Sequence, residues 1–394
     1  MVAVDVPHEL WQALSYFFGM TWAVLWALIL GFSLSALVQA VVSKRGLTRL
    51  LPDASPKTIA TASGLGAASS SCSYASVALA RSLFRKGVDF TAAMAFEIAS
   101  TNLVIELGIV MALLLGWQFV LGEYVGGPLM IVLVALVFRV VLRRRLVEDA
   151  RAEANRGRLG SMEGHAEMDM SAGGEGSWWR RLRTPAGFTA TADYFVMDWV
   201  AIWIDIALGL LIAGALAAWV PDSWWQALFF EHHPTFAKVW GPLVGPLVAM
   251  LSFVCSIGNV PLAAVLWNGG ISFGGVIAFI FADLLILPIL DIYRKYYGTR
   301  TALFLLVTFY GCMAAAGLIV ELVFQALGLV PTTRNAKVVE AHVGWNYTTY
   351  LNIAFLLLAA ALVWRYFRRG GGLAMLRHMS RPAGAHEHAH AHHG

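Results

Sequence analysis

Apolar residues in this chain fall into long blocks separated by short polar stretches. Seven blocks read as membrane-crossing helices: about Tyr16–Val42, Phe90–Gln118, Pro128–Leu142, Tyr194–Val220, Phe273–Ile292, Leu303–Val330 and Tyr350–Tyr366. A helix needs about 20 mostly apolar residues to cross a hydrocarbon core. Two further stretches, Thr58–Leu83 and Gly241–Gly270, are broken by Gly, Ala and Ser or by Gly and Pro. The first carries Ser69-Ser70-Ser71-Cys72-Ser73 at its centre and would make a poor lipid-facing helix. Both are read as re-entrant hairpins, because irregular backbone at membrane depth survives only where protein or a wet cavity satisfies its polar groups.

Basic residues set the expected orientation. Lys44, Arg45, Arg49 and Lys57 follow the first span, Arg81, Arg85 and Lys86 follow the first hairpin, and Arg143, Arg144 and Arg145 follow a later span. Cytoplasmic loops carry the Lys and Arg excess. A hairpin that enters and leaves on one side keeps these clusters inside, with the N-terminus outside and the C-terminus cytoplasmic. The chain then reaches a weakly charged outer turn at Glu123–Gly127 and returns through Pro128. The expected divisions are a first membrane repeat over 1–147, a flexible polar cytoplasmic linker over 148–193, a second repeat over 194–330, an extra span over 331–369 and a His-rich tail over 370–394.

Composition narrows the class. The 394 residues are 59% hydrophobic and 13% charged, against roughly 25% charged in soluble domains, which excludes a single soluble globule. The net charge of +4 is assigned to topology rather than to nucleic acid. Three cysteines, Cys72, Cys255 and Cys312, all lie in apolar segments, which speaks against a disulfide scaffold. The first residues carry Asp5 and Glu9 and no basic cluster, unlike a cleaved secretory signal.

The two halves repeat. At an offset of 183, SCSYASVALARSLFRKGVDFTAAMAFEIAS aligns without gaps on VCSIGNVPLAAVLWNGGISFGGVIAFIFAD, pairing Cys72 with Cys255, Ser73 with Ser256, Gly87 with Gly270 and Phe90 with Phe273. The first copy is entered from inside and the second from outside, so the repeats are expected to have inverted topology, an arrangement in which corresponding broken segments flank a substrate site. Cys72, Ser73, Cys255, Ser256, Asn259 and Asn102 are the candidate substrate-binding residues; small residues at such places also serve close helix packing.

Acids in apolar stretches form a second group: Glu97, Glu106, Asp198, Asp205, Asp283 and Glu321, with Asp291 near an end. An ionised group at mid-bilayer costs at least about 2.5–3.5 kcal/mol, so such acids line pathways or keep a proton. Glu97, Glu106 and Asp283 are the candidate proton-coupling residues; neutral acids bonded between helices are the alternative. The tail holds His386, His388, His390, His392 and His393, nitrogen ligands suited to zinc, copper or nickel, and stands as a candidate metal tract.

The segments SSSCSYASVALARSLFRKGVDFTAAMAFEIAST and SFVCSIGNVPLAAVLWNGGISFGGVIAFIFADLLILPILDIYRKYYG resemble the bacterial predicted-permease family that includes the ArsP organoarsenical efflux permeases. The resemblance spans roughly Tyr16 to Tyr366 without the linker. It implies a plasma-membrane permease and, for the arsenical branch, export of trivalent organic arsenicals through membrane cysteines. The expected protein is therefore an all-α polytopic secondary permease of seven spans and two hairpins, moving a soft or thiol-reactive solute by proton-coupled efflux. A divalent-metal permease, zinc first, and a non-transporting membrane anchor are the competing readings. No CxxC, HExxH or Walker A sequence occurs, so neither an enzyme nor a bound cofactor is expected. A homodimer and a soluble partner on the linker or tail are compatible with the pattern.

Overall fold

The computed structural model describes residues 6–41, 51–69, 73–155, 184–230, 233–252, 256–336, 345 and 347–368. Among them the chain is helical, with no strand. The first half comprises α1 (Val6–Val41), α2 (Pro56–Ser69), α3 (Ser73–Arg85), α4 (Phe90–Asn102), α5 (Ile105–Leu114), α6 (Trp117–Val141) and α7 (Arg144–Ala154). The second comprises α8 (Pro185–Trp219), α9 (Asp222–Phe229), α10 (Pro234–Ser252), α11 (Ser256–Asn268), α12 (Phe273–Phe281), a 3₁₀ turn (Ala282–Leu285), α13 (Leu287–Tyr297), α14 (Thr299–Ala326) and α15 (Tyr347–Arg368).

Six helical stretches among the described residues are long and apolar enough to cross a membrane: Leu10–Leu34, Phe90–Leu114, Trp117–Val141, Thr235–Ser252, Thr299–Ala326 and Tyr347–Arg368. A bent pair, Phe273–Leu285 with Leu287–Tyr297 at 44°, makes a seventh if counted as one span. This is an all-α polytopic membrane protein. Two details differ from the sequence reading. The outer turn expected at Glu123–Gly127 lies inside α6, and the chain reverses earlier, at Leu115–Gly116. The glycines that suggested a turn are a packing surface. A side chain at Gly122 would meet the Phe273 ring at 2.9 Å, one at Gly126 the Phe281 ring at 2.9 Å, and one at Gly127 Leu103 at 2.6 Å. In the second interrupted stretch, Pro242 and Pro246 lie within α10, so that limb is long enough to span, whereas α2 has only 14 residues.

Of the expected linker 148–193, the two ends are helical, in α7 and at the start of α8, and residues 156–183 lie outside the described residues. The extra span α15 is joined to α1 by Asn352 and by Thr349, whose Oγ1 accepts from the Trp22 indole N–H at 3.3 Å. Asn352 accepts from the Trp26 N–H at 2.8 Å and donates to the Trp22 carbonyl at 2.8 Å. It thereby satisfies both members of one i→i+4 backbone pair, an insertion of the kind that bends long helices.

Element boundaries recur at the offset of 183. Residues 73–85 and 256–268 are each one helix, and residues 90–102 and 273–285 are each one helical stretch. Asp89 caps α4 by accepting from Thr91 and Ala92 N–H, and Ser272 caps α12 by accepting from Gly275 N–H. At the end of α3, Gly87 (φ +104°) lets Val88 N–H reach Leu83 O at 3.1 Å; at the end of α11, Gly270 (φ +106°) lets Ile271 N–H reach Leu266 O at 3.2 Å. Only glycine takes such a φ without strain, which is why it terminates helices in this way.

An arginine then clamps each of these ends. Arg151 of α7 donates to Phe84 O at 2.8 Å and Val88 O at 3.2 Å, with its guanidinium 4.1 Å from the Phe84 ring centre. Arg334, 183 residues on, donates to Trp267 O at 2.6 Å and Ile271 O at 2.8 Å, 4.4 Å from the Trp267 ring. Hydrogen bonds from charged donors contribute about 1.5–3 kcal/mol each; Arg151 spans its two carbonyls with both arms of its planar fork, Nη1 and Nη2, whereas Nη1 of Arg334 serves both of its own. Arg151→Lys is therefore expected to recover little of the stability lost in Arg151→Ala. Thermal unfolding in one detergent checks this: full recovery by lysine would show that charge alone suffices.

Candidate functional site

The starts of α3 and α11 meet at one carboxylate. Asp283, in the 3₁₀ turn that interrupts α12 and α13, is fully buried, and its Oδ2 accepts from Ser73 Oγ at 2.7 Å and from Ser256 Oγ at 2.7 Å. These serines are the first residues of α3 and α11 and occupy equivalent places in the sequence repeat. Asp283 sits here because Ile286 leaves the helical conformation, at ψ 146°, ahead of Leu287-Pro288; Pro288 has no N–H for a helical bond to the Leu284 carbonyl and its ring would clash with that carbonyl, so an unbroken helix is disfavoured.

Around Asp283 lie further buried polar groups. Asn102, the last residue of α4, faces Asp283 with its side chain, and its Oδ1 has no hydrogen-bond partner among the described residues. Glu97, one helical turn and a half earlier, accepts at Oε1 from the Tyr293 hydroxyl of α13. Glu97 Oε2 and Asp283 Oδ1 lack partners among the described residues. Ser76 donates to the Glu97 carbonyl at 2.9 Å and bonds the Ser100 hydroxyl, tying α3 to α4. Asn259 accepts from Ser252 Oγ at 3.0 Å, joining α10 to α11, while its Nδ2 has no partner among the described residues. Unpartnered buried polar atoms cost about 1–3 kcal/mol each, so this concentration of them in a membrane core is a place to look for function.

Not every expected residue belongs to this group. Glu106 is buried on α5 against Gly31 of α1 and lies in range of Tyr124. Glu321 is a structural cap: its Oε2 accepts from Gly274 N–H at 2.6 Å at the start of α12. Asp291 is an exposed partner of Arg294 and Lys295, each at 2.6 Å. Asp198 is half-buried and has a partner, and the side chain of Asp205 lies outside what is described, as do Cys72, Cys255, His386, His388, His390, His392 and His393. Cys312 is buried in α14. Among the described residues no three His, Cys, Asp or Glu side chains are grouped to hold a metal ion.

Two residues of the site escape a reading by sequence. Glu123 is fully buried in α6 and acts electrostatically on Asp283; the signal was a single acid in the unbroken 25-residue run Trp117–Val141, hidden by the Gly-Gly-Pro that follows it. Tyr293 looks like an interfacial aromatic because Arg294 and Lys295 come next, yet it is buried on the inner face of α13. A groove of about 760 Å³ lies elsewhere, between α2 and α6, and is lined by Ile59, Ser63, Thr91, Ile131 and Phe138.

A family model described as "Predicted permease", ArsP_1, matches residues 9–322, which include every element around Asp283. The chain belongs to this permease family. It is also 63% identical over 349 residues to a protein of Mycobacterium tuberculosis (strain ATCC 25618 / H37Rv) named "Putative permease Rv2963", covering 88% of this chain and 86% of that one. No solved structure matches the chain.

Proposed function

We propose that this permease exports a small soft or thiol-reactive solute, with a trivalent organoarsenical as its leading candidate, in exchange for protons. The observation that carries the reading is the pair of serine hydroxyls on Asp283. The residues that directly follow Cys72 and Cys255 share one carboxylate oxygen, which supports a solute position reached from both repeats. Trivalent arsenic is thiophilic, and two thiolates pass it on by exchange, one As–S bond forming as the other breaks. Asn102, Asn259, Ser73 and Ser256 provide polar contacts, and Glu97, Glu106 and Asp283 carry the coupling protons. The halves have opposite orientation in the plasma membrane, with the N-terminus outside and the C-terminus in the cytoplasm, and they rock about Asp283 to open each side in turn. The recurrence of boundaries, caps and arginine clamps at one offset supports two equivalent halves.

Elemental mass spectrometry tests this in cells with and without the protein, after exposure to a trivalent methylated arsenical or to zinc. Cell arsenic is expected to fall severalfold with the wild type and not with Cys72→Ser or Cys255→Ser. A zinc difference that persists in both variants, with no arsenic difference, would refute the soft-solute reading.

A further inference from the structure

Glu123 takes no part in the transport reading above, and its surroundings are not those of a structural carboxyl. It is fully buried, and neither Oε1 nor Oε2 has a hydrogen-bond partner among the described residues. By contrast Glu321, also buried, is committed to a backbone N–H. A carboxyl that stabilises a fold is expected to have such partners; one without them is held there at a cost of a few kcal/mol.

The position of Glu123 is defined on several sides. Gly122 brings α6 against Phe273 and Ile277 of α12, Gly126 brings it against Phe281 of α12 and Val320 of α14, and Gly127 brings it against Leu103. Tyr124 donates to Val104 O at 2.8 Å. Leu103 and Val104 are the break between α4 and α5, and Phe281 directly precedes the 3₁₀ turn that holds Asp283. Glu123 is therefore held where two interrupted helices approach each other. Asn102, at the edge of the first break, is fully buried, with its unpartnered Oδ1 on the side chain that faces Asp283. Breaks of this kind, near the middle of a membrane, are where transporters hold coupling ions.

The titratable and charged groups on the packed elements are Glu106 on α5, Glu97 on α4, Asp283 in the turn after α12, and Arg300, Tyr310, Cys312 and Glu321 on α14, with Tyr124 and Arg139 on α6 itself and Tyr293 of α13 bonded to Glu97. The charged group that acts on Glu123 is Asp283, another acid. Two carboxyls in low dielectric with no cation between them do not both stay ionised.

We propose that Glu123 is a proton-binding position of the transport cycle that exchanges its proton with Asp283 across the gap between the two broken helices. The two carboxyls are not hydrogen-bonded to each other, so the transfer runs through a water between them: the O–H bond at Glu123 breaks, the water passes a proton on and an O–H bond forms at Asp283 Oδ1, leaving Glu123 as the carboxylate and Asp283 neutral. Asp283 Oδ2 is the acceptor for Ser73 and Ser256, and hydrogen bonds to a charged acceptor are roughly twice as strong as neutral ones. Proton arrival at Asp283 therefore loosens the tie between α3 and α11, and its return to Glu123 tightens it. The position of one proton sets how firmly the two repeats are joined.

The proposal rests on Asp283 being a coupling group, and its test separates the two. Infrared spectra of the purified full-length protein in liposomes are recorded for wild type, Glu123→Gln, Glu123→Asp and Glu106→Gln, alongside proton uptake followed with an entrapped pH dye. Among the protonated-carboxyl bands of the wild type, one component is expected to be lost in Glu123→Gln, to shift in Glu123→Asp and to persist in Glu106→Gln, which removes a different component. Gradient-driven proton flux is expected to fall at least tenfold in Glu123→Gln. An infrared spectrum unchanged by both Glu123 substitutions would overturn the assignment. So would a flux that follows sodium at constant pH. Loss of that component in Glu123→Gln, with no proton flux in the wild type, would retain the proton on Glu123 and refute coupling through Asp283.

Discussion

Asp283→Ala is expected to reduce the initial rate of solute export about 100-fold per folded molecule. The substitution removes the shared acceptor of Ser73 and Ser256, two hydrogen bonds to a carboxylate worth about 1.5–3 kcal/mol each. A loss of about 3 kcal/mol in the state that joins both repeats is roughly two factors of ten in its population. It also leaves two buried hydroxyls at helix starts with no acceptor. Asp283→Asn keeps an acceptor oxygen of the same shape but neither the charge nor the exchangeable proton, so it is expected to lie between wild type and alanine in helix coupling and to share with alanine the loss of the proton-driven part of the rate. Solute uptake into everted vesicles, normalised to the monodisperse fraction in detergent, is the measurement. Wild-type rates in Asp283→Asn would remove the charge from the account.

Gly274→Ala is expected to destabilise the fold more than any polar change outside the site. A Cβ there would stand 2.2 Å from the Gly317 carbonyl oxygen and 2.8 Å from Glu321 Cβ, and one at Gly317 would stand 2.5 Å from the Gly274 carbonyl. The two glycines let α12 and α14 touch backbone to backbone, as small residues do between membrane helices. Because the obstacle is backbone, relief requires the helices to part, which also stretches the bond from Gly274 N–H to Glu321. Overpacking of about 1–3 kcal/mol and a charged hydrogen bond of about 1.5–3 kcal/mol together give a loss of about 2.5–6 kcal/mol. Gly311 on the same helix is the control, since nothing lies within 4 Å of its would-be Cβ. Alanine there is expected to be neutral or to gain about 0.5–1 kcal/mol from backbone entropy. Equal thermal shifts for the two substitutions would contradict the close approach of α12 and α14.

The division between what could and could not be read in the sequence follows from where the information lies. Span positions were visible because a hydrocarbon core demands long apolar runs. The repeat was visible because Cys72-Ser73 and Cys255-Ser256 align without gaps, and Asp283 stood out as an acid in an apolar segment. That both serines bond the same carboxylate is a tertiary fact with no local trace. Glu123 was misplaced because Gly126-Gly127-Pro128 has the composition of a turn, while its glycines serve helix contact. Arg81 was grouped with solvated cytoplasmic bases, yet it is fully buried, donating to Ala154 O at 2.8 Å and lying 4.1 Å from the Tyr296 ring. A basic residue next to a hairpin cannot announce by type whether it marks topology or plugs an interior.

The central claim is that the two repeats converge on one solute position, and the chemistry of trivalent arsenic tests it directly. In a Cys312→Ser background, Cys72 and Cys255 are the remaining cysteines. The measurement is intact-protein mass spectrometry after treatment with a monosubstituted trivalent arsenical, followed by maleimide. The account predicts one arsenical per chain, bridging the two thiols and protecting both from maleimide, with protection lost at both when either cysteine is replaced by serine. Two maleimide adducts on a chain pretreated with the arsenical, the same as without it, would contradict convergence of the repeats at this site.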